Sequence, residues 1–326
     1  MLLVFWAAAL WGCSLVDEDM TVCEGEYQLD YSLTLVTDIT TEIETELSQE
    51  TDKNVADALK KYLSGIFTDR AHDVDLSFYN VGEDSRRLHH EQHIMDATQS
   101  SYTLYIPRRR YMHLALANLE GNGRVALEGD DVCTDARLVQ SVGDTLEPHR
   151  TGVFSARLPM DMKESAHQQF EVKLYMSNSS EALVLDTLDS KVKNVEVVAA
   201  GFATDFSLAD STYRFRYTPL FKADKVEAGT VPGTKLCYAS VNFPTRNAPS
   251  TKTDPAPVWV IRVNATLPSG SITQTQLSFY QPVPAGRFKM VQAKFLPDGS
   301  VVPKDSSVGV NVQLDWTPGS DFDIAL

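Results

Sequence analysis

Tyr27-Gln-Leu29-Asp-Tyr31-Ser-Leu33-Thr-Leu35 places an apolar side chain at every odd position and a polar one at every even position. A period of two is that of a strand with one buried and one wet face. An antiparallel sheet is the setting that commonly leaves one face in water. The alternation returns in Val74-Asp-Leu76-Ser-Phe78, Tyr102-Thr-Leu104-Tyr-Ile106 and Met112-His-Leu114-Ala-Leu116. Turn chemistry separates or follows these runs: Gly82-Glu-Asp84, Pro107 with Arg108-Arg109-Arg110, and Gly121-Asn-Gly123. Two more strands are expected near Gly152 to Leu158 and Phe170 to Met176. One amphipathic helix interrupts them. After Asn54 as N-cap, Val55, Ala58, Leu59, Tyr62, Leu63 and Ile66 recur at helical spacing. The acidic, Thr-rich residues 38 to 53 ahead of it read as a loop or a solvated helical start.

The second half is almost entirely strand and turn. Phe170, Val172, Leu174 and Met176 alternate with Glu171, Lys173 and Tyr175, and Tyr213, Phe215 and Tyr217 alternate with Arg214 and Arg216. The last run, Val308-Gly-Val310-Asn-Val312-Gln-Leu314-Asp-Trp316, puts four aliphatic side chains and a Trp on one face. Short strands at this spacing with Gly, Pro and Asn between them predict antiparallel sandwiches. The fold class is therefore all-β, and 326 residues suit about two domains. The charged, Gln-rich segment Lys163 to Gln169 sets the expected boundary, giving domains over 25–165 and 166–326.

Ahead of the first strand lies Leu2-Leu-Val-Phe-Trp-Ala-Ala-Ala-Leu-Trp-Gly-Cys13. About ten apolar residues are too few to span a bilayer, which needs roughly 20, but match the apolar region of an export signal. Leu10-Trp11-Gly12-Cys13 has the form of a bacterial lipobox, with Gly12 and Cys13 flanking the cleavage point. Residues 1–12 then read as signal and 13–24 as a linker lipidated on Cys13, although no Lys or Arg precedes that cysteine. An ordinary signal peptide, or a first strand, that happens to contain a cysteine is the alternative. The formal charge of −15 repels nucleic acid and anionic head groups. Membrane attachment is thus assigned to the lipid and not to a basic patch. Cys13, Cys23, Cys133 and Cys237 supply no disulfide framework once Cys13 is acylated, and no Cys-x-x-Cys pair suggests zinc.

No constellation reads as an active site. Leu88-His89-His90-Glu91-Gln92-His93 has the residue types of a zinc protease helix, but His93 comes one residue too early and the segment reads as a solvated loop. Asp130, Asp131 and Asp135 lack the glycine-centred spacing of a calcium loop. There is no Gly-x-Ser-x-Gly elbow, phosphate loop or dinucleotide fingerprint, so neither enzyme activity nor a cofactor or metal is expected.

Several features taken together resemble one family, the fimbrial anchor subunits of Bacteroidales. They are the lipobox at Cys13, Cys23 just ahead of the Tyr27 to Leu35 strand, Val74-Asp-Leu76-Ser-Phe78-Tyr79, Tyr111-Met-His-Leu-Ala-Leu-Ala-Asn118, and a second domain opening with Phe170-Glu-Val-Lys-Leu174. The resemblance implies two tandem transthyretin-like β-sandwiches, a lipid-held place on the outer membrane, surface export directed by Asp17-Glu18-Asp19, and a binding role without catalysis. Its partners would be fimbrial shaft or accessory subunits, joined when a terminal strand of one molecule fills a groove in its neighbour. Val308, Val310, Val312, Leu314 and Trp316 form the candidate partner strand, or else the last strand of their own domain. An anchor keeps its own first strand, so Tyr27 to Leu35 should stay in place. Two rivals remain: a glycan-binding lipoprotein using Tyr105, Tyr111 or Tyr238, and a lipoprotein glycoside hydrolase with a carboxylate pair.

Overall fold

The computed structural model describes residues 26–68, 70–82, 84–94, 101–162, 168–187, 191–229, 234–247 and 256–314. Gly12, Cys13, Cys23 and Trp316 lie outside the described residues. In chain order the elements begin with β1 (Glu26–Val36), α1 (Ile39–Leu47), α2 (Lys53–Ile66), β2 (Asp73–Asn80), β3 (Arg87–Ile94), β4 (Ser101–Pro107), β5 (Arg110–Ala117) and β6 (Val125–Glu128). They continue with β7 (Arg137–Gln140), β8 (Thr145–Leu146), β9 (Phe154–Asp161), β10 (Gln168–Met176), β11 (Ser179–Asp186), β12 (Asn194–Ala200), β13 (Asp205–Ser207), β14 (Thr212–Arg214) and β15 (Leu220–Lys222). The last are β16 (Asp224–Val226), β17 (Lys235–Asn242), β18 (Trp259–Thr266), β19 (Ile272–Phe279), β20 (Phe288–Phe295), β21 (Val301–Pro303) and β22 (Gly309–Gln313).

The first sheet has seven strands in the order β3-β2-β5-β9-β10-β1-β4. β1 sits inside it, parallel to β10 and antiparallel to β4, with Tyr31 opposite Phe170 and Tyr102. β9 and β10 pair only through Ser155 with Tyr175 and Phe154 with Met176, and there the sheet folds over. In a flat sheet β1 and β5 would stand three spacings, about 14 Å, apart. Yet Tyr31 Oη lies 2.7 Å from His113 Nε2. The parts β3-β2-β5-β9 and β10-β1-β4 therefore face each other as a sandwich, with Phe78, His113, Tyr31 and Phe170 meeting between them.

A second sandwich pairs the five-stranded sheet β16-β17-β11-β20-β21 with the six-stranded sheet β22-β19-β18-β12-β15-β8. Leu183, Leu185, Phe221, Trp259, Ile261 and Phe295 fill it. A small sheet, β14-β13-β7-β6, shares an apolar cluster with Leu114 and Leu116 of β5, on the opposite side from His113. α1 and α2 bind the sandwiches together: Ile43, Leu47, Leu59 and Leu63 belong to one apolar cluster with Leu29 and Leu76 on one side and Ala182 and Val184 on the other. α1 also ties Glu46 to the Met290 N–H at 3.0 Å, and Lys235 reaches Glu50 at 2.5 Å.

Several expectations change. The helical start in residues 38 to 53 is a full helix, α1, because Ile39, Ile43 and Leu47 make a one-sided apolar stripe at spacing four. The N-cap of α2 is Asp52 and not Asn54, since its carboxylate accepts from the Asn54 N–H at 3.0 Å. Residues 88 to 93 are not a loop but the edge strand β3. Strand pairing also does not divide at 165/166: β10 completes the first sheet, β8 joins β15, and β13 with β14 joins β7.

Candidate functional site

β22 follows a turn made by Asp305, whose carboxylate accepts from the Ser307 N–H and Ser307 Oγ, each at 2.8 Å. Those bonds hold the Asp305 carboxyl below the usual range. Gly309 then opens the strand where a Cβ would stand 3.2 Å from Tyr280 Oη and 3.3 Å from Ser278 Cβ, so a larger residue would require these neighbours to give by a few tenths of an ångström. From Gly309 to Gln313 the strand pairs antiparallel with β19, placing Val310 opposite Leu277 and Val312 opposite Thr275. Its other edge has no partner strand among the described residues, since β22 ends the sheet.

The expected apolar face is present but poorly covered. Val308 packs against the second core, whereas Val310 is 44% exposed, Val312 41% and Leu314 56%. At the root of the strand lies a cavity of about 430 Å³ lined by Trp259, Phe279, Tyr280, Val291 and Val308. The Trp259 and Phe279 rings stack at 3.9 Å, and Trp259 Nε1 donates to the Gln281 carbonyl at 3.0 Å.

Exposed sheet edges template pairing with other chains, and proteins blunt them with charge, proline or brevity. β3 carries Arg87, three histidines and Glu91. β9 beyond its fold-over carries Arg157, Pro159 and Asp161, and β10 carries Glu171 and Lys173. β16 has Asp224 and Lys225, β21 ends in Pro303 after three residues, β14 has Arg214, β6 has Glu128, and β8 is two residues long. β4 is uncharged but ends at Pro107 and turns Ser101, Thr103 and Tyr105 outward. β22, Gly-Val-Asn-Val-Gln, has neither charge nor proline and shows aliphatic side chains to solvent.

The other sequence candidates fall apart in space. His89 and His93 both reach Glu91, at 2.7 and 2.8 Å, while His90 crosses to Asp75 at 3.0 Å on the opposite face. Among the described residues no group of three or more His, Cys, Asp or Glu is placed to hold a metal ion. Asp130 and Asp131 are both engaged by Arg87. Of the three tyrosines considered for sugar stacking, Tyr111 and Tyr238 are buried and only Tyr105 is exposed, at 54%. The wider cavity, about 640 Å³ between the parting strands β9 and β10, had no sequence signal except Pro159, which suits a strand whose outer edge is unpaired.

No family model matches the sequence, and no curated protein matches it. Solved structures do share its fold. A proposed adhesin from Bacteroides ovatus aligns over 92% of this chain and 100% of its own, with a TM-score of 0.52 at 11% identity. A proposed adhesin from Bacteroides thetaiotaomicron covers 88% of this chain and 96% of its own, at 0.53 and 9%. The fimbrial anchor protein Mfa2 from Porphyromonas gingivalis covers 89% and 99%, at 0.51 and 9%. At such identities the shared property is the fold.

Proposed function

We propose that this chain is the lipid-anchored base of a surface fimbria, holding its neighbouring subunit through main-chain strand contacts made at β22. The observation that carries this reading is an unprotected, aliphatic edge strand in a molecule whose other long edges bear charge or proline. Strand addition draws affinity from main-chain hydrogen bonds and register from alternating side-chain pockets. Val310, Val312 and Leu314 supply the alternation. The likeness in fold to a fimbrial anchor protein is consistent with the role.

The first strand suits the same task. β1 is paired on both sides, with eight residue pairs to β10 and seven to β4, so it is built to stay in place. A load entering at Glu26 meets the ladder to β4 first and the ladder to β10 from Leu29 onward. On this reading Cys13 carries the acyl chains that pass the load to the outer membrane.

Deleting the gene is expected to release fimbriae into the medium or change their length. Fimbriae that stay cell-bound at normal length would sink the anchor role. Lipid labelling should vanish in Cys13→Ala, and labelling that persists would show the acceptor assignment wrong. For the strand contact, Val310→Lys with Val312→Lys is the sharper test. Both positions are exposed, so folded stability should change by no more than about 0.5 kcal/mol each. Both valines are already more than half covered, so burying the remainder against a partner is worth about 1–2.5 kcal/mol, and bringing lysine ammonium groups into that contact costs more, so affinity for that subunit should fall at least about tenfold. Unchanged binding in a pull-down with the purified fimbria would remove β22 from the contact.

A further inference from the structure

β9 and β10 stay together for only two residue pairs, Ser155 with Tyr175 and Phe154 with Met176. Continuing that antiparallel register would set Arg157 opposite Lys173 and Pro159 opposite Glu171. These side chains share the face of Leu114, which pairs with Arg157 and meets the small sheet. In a closed ladder Arg157 and Lys173 would bring their Cβ atoms to about 5 Å, and like charges so opposed destabilise a sheet. The ladder stops short of that contact.

The space between the parted strands is the cavity of about 640 Å³, a size suited to a small ligand. Leu114, Met176 and Phe206 are buried and make an apolar floor. Tyr175, Lys173 and Glu171 from β10 and Arg157 from β9 line it, in that order from the paired end outward on β10. The Tyr175 ring is 58% exposed. Arg157, Lys173 and Glu171 are exposed too, and none has an ion pair or a side-chain hydrogen bond among the described residues. The wall beside them is fixed by other bonds: Ser155 Oγ lies 3.0 Å from Ser177 Oγ, and Tyr213 Oη donates to the Ser177 carbonyl at 3.0 Å.

We propose that this gap is a binding site for a carboxylate-bearing sugar, of the uronic acid kind. Its carboxylate lies between Arg157 and Lys173, where one negative charge relieves the opposition of two positive ones and the guanidinium offers a bidentate fork. The chain's −15 is screened beyond about 8 Å in physiological salt, so the two cations beside the anion dominate. The acid ring lays its C–H face on the exposed Tyr175, and the ring linked to it, toward the open end, donates hydroxyls to Glu171. That second ring is neutral, because Glu171 repels another carboxylate. An extended peptide cannot run through the cavity, since the two remaining pairs of β9 and β10 close one end. The site shares no lining residue with β22 or the cavity at its root, so it stands independently of the anchor reading.

The test titrates the full chain calorimetrically with a tetrasaccharide of alternating glucuronate and N-acetylglucosamine, with its methyl ester, with acetate and with a glutamate tripeptide. The acid sugar is expected to bind, and to bind less well as salt is added. The ester keeps the rings and loses the charge, acetate keeps the charge and loses the rings, and each should bind at least about tenfold more weakly. Arg157→Gln with Lys173→Gln should weaken the acid sugar at least about tenfold, and Tyr175→Ala about twofold to tenfold. All three side chains are exposed, and a urea midpoint unchanged or slightly raised in the double variant would show that the fold is intact and the opposed charges were a cost. No binding by the acid sugar, equal binding by the ester, acetate or the peptide, or binding unaltered in the double variant overturns the proposal.

Discussion

Lowering the pH from about 6.5 to 4 is expected to cost this protein stability at up to about 2.7 kcal/mol per pH unit, through two fully buried histidines. Burial pushes the His113 pKa down to about 4, with its bond to the Ser77 carbonyl opposing, and burial pushes His149 to about 3. Each ring is neutral and held in one orientation. The partners of His113 assign its protons: Nδ1–H donates to the Ser77 carbonyl at 3.0 Å, Nε2 accepts from Tyr31 Oη at 2.7 Å, and the ring stacks on Phe78 at 4.3 Å. His149 Nδ1 accepts from Asn178 Nδ2 at 2.6 Å, and its Nε2 has no hydrogen-bond partner among the described residues.

The sign follows from proton uptake. In the unfolded chain both histidines protonate below about 6.5. In the folded protein they stay neutral until about 4 and about 3. Between those limits the unfolded state binds more protons, so stability is intact above 6.5 and is lost as the pH falls. The combined loss, of order 8 kcal/mol if both rings stay neutral, is comparable with the whole stability of a typical domain, about 5–15 kcal/mol. Glu181 acts in the opposite direction. Burial raises its carboxyl well above the usual range despite bonds from Ser240 and Asn242, so the stability it preserves below about pH 4.3 is lost as the pH rises. Urea titrations across this window should show the slope, less whatever Glu181 offsets, and His113→Gln or His149→Gln should each remove about half of the histidine contribution to it. A denaturation midpoint that does not move between pH 6.5 and 5 would contradict the neutral assignments.

The two histidines also show where the sequence stops being readable. In Met112-His-Leu114-Ala-Leu116 the period places His113 on a wet face. The strand is wet on neither: Tyr111, His113, Ala115 and Ala117 face the sandwich interior, while Leu114 and Leu116 meet the small sheet. A sheet covered on both sides loses its alternation, as β11 does with seven consecutive buried residues. β1 is legible because its outer face, with Asp30 and Thr34, remains in solvent. β3 is illegible for the converse reason: histidine, glutamate and glutamine occupy both faces, so no apolar period exists to detect. The candidate strand β22 is legible as a strand, but its exposure is not, because that depends on which neighbour covers it. The boundary expected at 165/166 rests on composition alone, and a charged, Gln-rich stretch carries no information about strand pairing, which joins β10 to the first sheet.

Replacing Trp259 by Ala is expected to destabilise the protein by about 3–5 kcal/mol. The ring is 1% exposed, stacks on Phe279 and contacts Phe202 at 5.9 Å. Gly201 passes so close that an added Cβ would stand 2.8 Å from the Trp259 Cα, and its φ of +100° suits glycine alone, so no backbone shift from that side fills the void. The damage should not be uniform. Trp259, Phe279 and Val308 line one cavity, so truncation removes the wall against which the root of β22 rests. Beyond that root β22 is held by a single ladder of five residues, with its aliphatic side chains half out in solvent. Amide exchange at Val310 and Val312 should therefore accelerate in Trp259→Ala more than at Ile261 or Val263, which are paired on both sides by β12 and β19. Equal acceleration everywhere would mean that the strand is fixed by the sandwich as a whole. Selective loosening would mean that one buried ring decides how firmly the chain keeps β22 against β19.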